Sequence, residues 1–162
     1  MRKINIIYVG GIKTQEKYFG EVIGEYIKRL SRDFTVANIE IKEEFVPDNP
    51  SQSEIDLCLK KEGAKILEKT GNGSFKIVLC IEGKKISSEQ FAMLLYSSRA
   101  ENSQSVDFII GSSHGLSDEI KSRADYLLSF SDMTFSHRLA RVMLMEQIYR
   151  AYAINTGRKY HK

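Results

Sequence analysis

Polar groups able to do chemistry gather late in the chain. All three histidines, His114, His137 and His161, lie after position 110. Between a strand-like run and a helix-like one, Gly111-Ser112-Ser113-His114-Gly115 matches G-x-S-x-G, the turn that presents a nucleophilic serine in α/β-hydrolases. Ser113, Asp125 or Asp132, and His137 even follow the hydrolase order of nucleophile, acid and base. The bland alternative is a glycine-permitted turn with no chemistry of its own. A serine-rich pattern this short arises readily by chance, no oxyanion-hole motif accompanies it, and the chain is short for a hydrolase. The same glycines also suit a close backbone approach to a nucleotide-like ligand. G-x-G-x-x-G and the Walker phosphate loop are both absent, which argues against a nicotinamide enzyme or a nucleoside triphosphatase.

Charge forms a second concentration. From His137 onward, Arg138, Arg141, Arg150, Arg158, Lys159 and Lys162 face a single acid, Glu146, whereas the whole chain carries only +3. A basic, aromatic end on a slightly acidic body suggests an anionic partner bound there. Glu146 and Arg150 stand in the favourable i, i+4 order, and as a mere helix-surface pair they would contribute about 0.3 kcal/mol. By default His137 is a structural histidine at a helix start, and Tyr160-His161-Lys162 is a solvated terminus. Cys58 and Cys80 lack metal-ligand spacing and read as reduced thiols. No signal peptide or bilayer-length apolar run is visible, so a cytoplasmic protein without membrane attachment is expected.

The elements that must position these groups alternate between two periods. Ile4–Val9 reads as a buried strand, and Tyr18, Val22, Ile23, Tyr26, Ile27 and Leu30 recur at helical spacing. A strand is expected within Phe34–Val46, followed by a loop broken by Pro47 and Pro50. Ser53–Thr70 reads as a helix, Phe75–Ile81 as a strand, and Ser87 with Gln90 has capping-box spacing for a helix through about Arg99. Val106–Ile110 and Tyr126–Phe130 complete the strands, Ser117 caps a short helix, and a last helix spans His137–Ile154. One domain fits this length. Strands separated by helices predict an α/β fold, a mostly parallel sheet with helices on both faces. Ligands bind such sheets beyond the carboxyl ends of the strands. Here those ends are Glu82-Gly83-Lys84, Gly111–Gly115 and Phe130–Ser136. The last helix is apolar nearly all round, from Leu139 to Ala153, so it needs cover on several sides, partly from the chain's own core and partly from a partner subunit.

Several runs together carry a family resemblance. They are Leu79-Cys80-Ile81-Glu82-Gly83-Lys84 followed by Ser87-Ser88-Glu89, then Phe130-Ser131-Asp132-Met133-Thr134-Phe135. His137, Arg141, Glu146-Gln147-Ile148-Tyr149-Arg150-Ala151 and the ending Tyr160-His161-Lys162 continue it. With these the chain resembles, end to end, the RlmH family of small SPOUT-class methyltransferases. The resemblance implies one SPOUT domain over 1–162, with a C-terminal trefoil knot that binds S-adenosyl-L-methionine in a region of about 75–162. It implies a homodimer that methylates N3 of a pseudouridine in 23S rRNA on the assembled ribosome, at the subunit interface, without a metal. Carried over, the cofactor contacts fall on Leu79, Gly111, Phe130, Ser131, Asp132, Met133, Thr134 and Phe135. Tyr160, His161 and Lys162 match the substrate-side tail, with His161 the candidate proton acceptor, and His137, Arg141, Glu146 and Arg150 are further candidates.

This chain departs from the family pattern at Ser112, where a second glycine is common, and at Ser136, where proline is common. Ser112 is expected to add a side chain near the cofactor, and Ser136 to cap the last helix. A non-catalytic ribosome-binding protein of the same fold is the alternative that Ser112 hints at. A small serine hydrolase using Ser113 is the other.

Overall fold

The protein, seen in a computed structural model, is described over residues 1–160, so His161 and Lys162 lie outside the described residues. Five strands, β1 (Arg2–Val9), β2 (Phe34–Ile41), β3 (Phe75–Lys85), β4 (Val106–Ile110) and β5 (Tyr126–Ser129), form one sheet ordered β2-β1-β4-β3-β5. Every pairing is parallel. The helices are α1 (Lys17–Leu30), α2 (Gln52–Lys69), α3 (Ser88–Leu95), α4 (Ser98–Glu101), α5 (Asp118–Ser122) and α6 (His137–Asn155).

The near-continuous apolar runs of β1 and β4 follow from burial on both faces. In β1, Ile4, Ile6 and Tyr8 pack with α1, α3 and α6, while Ile7 and Val9 turn to α2 and α5. Alternate residues of one strand thus feed two cores. The helix starts follow the serines. Ser51 and Ser87 form capping boxes with Glu54 and Gln90, and Ser97, Ser117 and Ser136 each accept from a backbone amide of the first turn. Each such cap contributes about 1 kcal/mol. At the amino end of the sheet, buried Asp107 accepts from Asn5 Nδ2 (2.7 Å), Ser105 Oγ (2.8 Å) and the Gly71 amide (2.8 Å). That network ties the α2–β3 turn to β4.

Three boundaries differ from expectation. β2 ends at Ile41 because β1, the strand it pairs with, ends at Val9 directly opposite, and the Gly10 amide then donates to Ile41 O at 3.0 Å. The helix opened by Ser87 breaks at Tyr96 because Ser97 Oγ donates to Leu94 O (2.8 Å) and accepts from the Ala100 amide (3.3 Å), ending one helix and starting the next. β3 runs on to Lys85 through a register slip: Leu128 of β5 lies opposite both Leu79 and Lys84, so Cys80–Gly83 bulge out.

The helix α6 meets most of its need for cover within the chain. It lies against α1 and α3 over the sheet, burying Leu144, Met145, Ile148 and Tyr152. Leu139 stays 38% exposed, and Val142 and Met143 are half-buried. The all-round apolar surface is therefore largely a matter of the chain's own core.

The bulge in β3 depends on Gly83. A Cβ there would stand 2.6 Å from the carbonyl carbon of Leu128 and 2.8 Å from its nitrogen, backbone atoms that cannot step aside alone. Gly83→Ala is expected to lower stability by about 3 kcal/mol, the upper part of what overpacking costs. Urea denaturation checks it, and an unchanged midpoint would show that β5 yields freely.

Candidate active site

The carboxyl ends of β3, β4 and β5 open into one cleft of about 670 Å³. Of the residues expected at a cofactor, Leu79, Gly111, Phe130, Ser131, Met133, Thr134 and Phe135 line it. Asp132 does not: its carboxylate pairs with Lys85 at the surface. The loop after β5 is shaped locally, by Ser129 Oγ donating to Ser131 O (3.0 Å) and the Met133 amide donating to Ser131 Oγ (3.0 Å). Ser136 Oγ then accepts from the Leu139 amide at 3.3 Å, the capping role expected of it. Cys80 and Ile81, which belong to a run that carries the resemblance but not to the expected cofactor contacts, also line the cleft. They follow the last residue of β3 paired to β4, Leu79, and so leave the sheet where it opens.

The turn Gly111–Gly115 is held by its own backbone. The Gly115 amide donates to Ser112 O (3.0 Å), Gly115 has φ +88°, and a Cβ on Gly111 would stand 2.2 Å from Gly115 O. Gly111 is thus demanded by the turn itself. Ser112 is buried at the edge of the cleft, and its hydroxyl donates to Glu62 Oε2 at 3.0 Å. The side chain expected beside the cleft is therefore present there, with its hydroxyl held by Glu62.

The hydrolase constellation does not assemble. Among the described residues no hydrogen bond joins Ser113 to His137. Asp125 is spent on the Lys76 amide (2.8 Å) and Arg99 (2.5 Å), and Asp132 on Lys85. The literal G-x-S-x-G match reports a turn.

The other candidates divide across α6. Glu146 is the centre of one set: Oε1 accepts from Arg150 Nε (3.0 Å), Arg150 Nη2 (2.6 Å) and the Tyr160 hydroxyl (3.3 Å), and Oε2 accepts from Gln147 Nε2 (2.7 Å). Gln147 in turn accepts from Ser88 Oγ at 2.7 Å, tying the set to α3. The Tyr160 ring stands edge-on to Tyr149 at 4.7 Å, with the Arg150 guanidinium 4.9 Å from its centroid. Burial, with help from the neighbouring Tyr26 hydroxyl and the Glu146 carboxylate, pushes the Tyr160 phenol up to about 12. At neutral pH it is therefore a donor, not a base. A second cleft of about 390 Å³ flanks Glu146 and shares Leu128, Ser129 and Phe130 with the first, so the two lie back to back across the end of β5.

His137 and Arg141 occupy the opposite side of α6, since the nine residues from His137 to Glu146 are about two and a half turns. His137 lines the first cleft; its Nε2 is buried without a hydrogen-bond partner, and it lies with Glu43 against Gly10. Arg141 is buried, its guanidinium 3.3 Å from the centroid of the Tyr8 ring. The basic end is likewise largely engaged among the described residues: Arg138 donates to Gly11 O (3.1 Å) and forms an ion pair with Glu16 (2.9 Å), and Arg158 lies over Tyr152 at 4.7 Å. Local charge in the sequence thus overstated the free positive surface. Among the described residues no group of three or more His, Cys, Asp or Glu could hold a metal ion, and no helix is long and apolar enough to cross a membrane.

Burial, followed by the nearby Arg138, holds the His137 imidazole below its usual range, with Glu43 opposing in part. Folding therefore favours the neutral ring, and stability falls as pH drops through the ordinary histidine value of about 6.5 towards the depressed one. His137→Gln should lose less stability than the natural protein between pH 7.5 and pH 5.5, as read by urea midpoints. Equal losses would mean that charging His137 costs the fold nothing.

Comparison with known proteins agrees with the geometry. The family model described as "Predicted SPOUT methyltransferase" matches residues 2–161. A Streptococcus thermophilus protein is 48% identical over 160 residues, covering 99% of each chain. One from Clostridioides difficile is 48% identical over 159 residues, 98% of this chain and 99% of its own. One from Oenococcus oeni is 46% identical over 162 residues, the full length of both. All three relatives bear the name ribosomal RNA large subunit methyltransferase H. With an all-parallel α/β sheet, a cleft where its last three strands end, and a family match over nearly its whole length, the chain belongs to the SPOUT methyltransferase family.

Proposed function

We propose that the protein methylates N3 of a pseudouridine in 23S rRNA, using S-adenosyl-L-methionine, on the assembled ribosome in the cytoplasm. One observation supports this most. Leu79, Gly111 and the loop after β5, far apart in sequence, line one cleft in a chain whose full-length relatives are named as large-subunit rRNA methyltransferases. The cleft has the volume expected for a nucleoside-sized ligand. Its lining combines apolar Leu79, Ile81 and Phe130 with the hydroxyls of Ser131 and Thr134, a set that fits a purine nucleoside bearing a short side chain.

When bound, the cofactor supplies a methyl group activated on a sulfonium. The protein's part is position and charge. Leu79, Gly111, Phe130, Ser131, Met133, Thr134 and Phe135 hold the donor, and Asp132 shapes their loop through Lys85. The acceptor nitrogen must lose a proton, and cations beside the base favour its anionic form. Arg150 and Lys162 provide that charge, Tyr160 stacks and donates, and His161 accepts the proton. Glu146 keeps Arg150 and Tyr160 together. The working form is a homodimer of single SPOUT domains, each with a knotted region of about 75–162, and the site draws on both subunits. Exposed Leu139 and half-buried Met143 support a partner surface on α6.

Transfer of a labelled methyl group to ribosomes lacking the modification, with mapping of the base, tests the activity directly. No incorporation would sink it. Deleting Tyr160-His161-Lys162 should leave cofactor binding intact and abolish transfer. Full activity in the truncated protein would remove the tail from the site. Cofactor position has its own test in the thiols. Cys58 is buried and its thiol is pushed up to about 11 by burial, whereas half-buried Cys80 lines the cleft. Maleimide should modify Cys80 first, and S-adenosyl-L-methionine should slow that reaction at least several-fold. An unchanged rate would place the cofactor elsewhere.

A further inference from the structure

Two carboxyl side chains among the described residues are almost wholly buried, Asp107 at 0% exposure and Glu62 at 1%. They sit at opposite ends of the molecule and bind different things. Asp107 serves the amino end of the sheet, remote from the cleft. Glu62 reaches the carboxyl end, where its Oε2 accepts from Ser112 Oγ (3.0 Å) and its Oε1 accepts from the backbone amide of Glu44 (3.0 Å). Ser112 belongs to the turn that lines the cleft. Glu44 belongs to the segment leaving β2, in which the neighbouring Glu43 carboxylate lies with His137 against Gly10. His137 lines the same cleft from the other side.

The residue after Glu62 reinforces the arrangement. Gly63 sits inside α2, where glycine costs about 1 kcal/mol relative to alanine. A Cβ there would stand 2.8 Å from Ser117 Oγ, at the end of the same turn. The dipeptide Glu62-Gly63 is thus a backing plate for the whole Ser112–Ser117 connection: a carboxylate grips its start, and a missing side chain lets its end come close.

The geometry points to Glu62 as a positioning residue for methyl transfer, which holds the cofactor-side turn and the β2 exit in register so that the turn and His137, both of which line the cleft, stay at the right separation. It touches no reacting group. Its influence passes through Ser112 to the turn, and through Glu44 to the strand exit beside His137. Removing either partner leaves a buried acceptor or donor unpaired, whereas glutamine can keep both bonds. Its oxygen can accept from the Glu44 amide, and its NH2 can donate to Ser112 Oγ, which then acts as acceptor.

The inference rests on the proposed cofactor reading, so the test separates the two. Affinity for S-adenosyl-L-methionine is measured by calorimetry, alongside thermal midpoints and hydrogen exchange at the Gly115 and Leu116 amides without ligand. Ser112→Ala and Glu62→Ala should speed that exchange and weaken cofactor binding about tenfold, the effect of one lost hydrogen bond to a charged group. Glu62→Gln should restore both to within about twofold. Asp107→Asn, or the milder Ser105→Ala, should lower the midpoint comparably while leaving affinity unchanged. Unaltered exchange and affinity in folded Ser112→Ala would overturn the proposal. So would an equal loss of affinity in the Asp107 or Ser105 variants, because the effect would then follow stability alone. If the unmodified protein binds no S-adenosyl-L-methionine, the cofactor reading fails by itself, and the exchange data still decide the brace.

Discussion

Five parallel strands must all leave the sheet at one end, and that constraint governs the rest of this molecule. Parallel neighbours cannot be joined by tight turns, so each of the first four strands is followed by a crossover on one face or the other. The central strands are buried on both sides, and their exits are collected on a single rim. Leu79, Gly111 and Phe130 meet there because their strands β3, β4 and β5 are neighbours, not because they are close in sequence.

The rim carries an irregularity. A regular β3 would pair with β5 residue for residue. The slip that sets Leu128 against both Leu79 and Lys84 expels Cys80–Gly83 instead, and it survives because Gly83 lets two backbones approach closely. Across the same strand end, Glu146 gathers Arg150, Tyr160 and Gln147 into a second polar site. Two sites back to back on the Leu128–Phe130 segment would let one loop answer to both donor and acceptor.

Charge does different work at different depths. Arginines that look like a basic patch in the sequence are held by Glu16, Tyr8, Glu146 and Tyr152. Such pairs fix the orientation of α6 more than they add stability, since partly exposed ion pairs contribute little. The buried carboxylates of Asp107 and Glu62 are the costlier groups, and each is matched by two or more donors.

Periodicity alone determined the α/β class, the number of strands and most helix starts, because apolar alternation and serine caps act over a few residues. The meeting of the loops at the ends of β3, β4 and β5 was legible from the order of strands along the chain, because ligand clefts in parallel sheets form beyond the carboxyl ends of strands. Only the tertiary structure decided the slip in β3, since register depends on which backbone atoms meet. It also decided the fate of Ser112, whose hydroxyl is captured by Glu62 fifty residues away. The sequence placed Glu62 in a helix, within Ser53–Thr70, and gave no sign of what its side chain meets. It could not say which loop came close, because that follows from two helices stacking on one face of the sheet. The division of His137 and Arg141 from Glu146, Arg150 and Tyr160 has the same origin. Helical phase separates them, and the packing of α1, α3 and the sheet determines what each side of α6 meets.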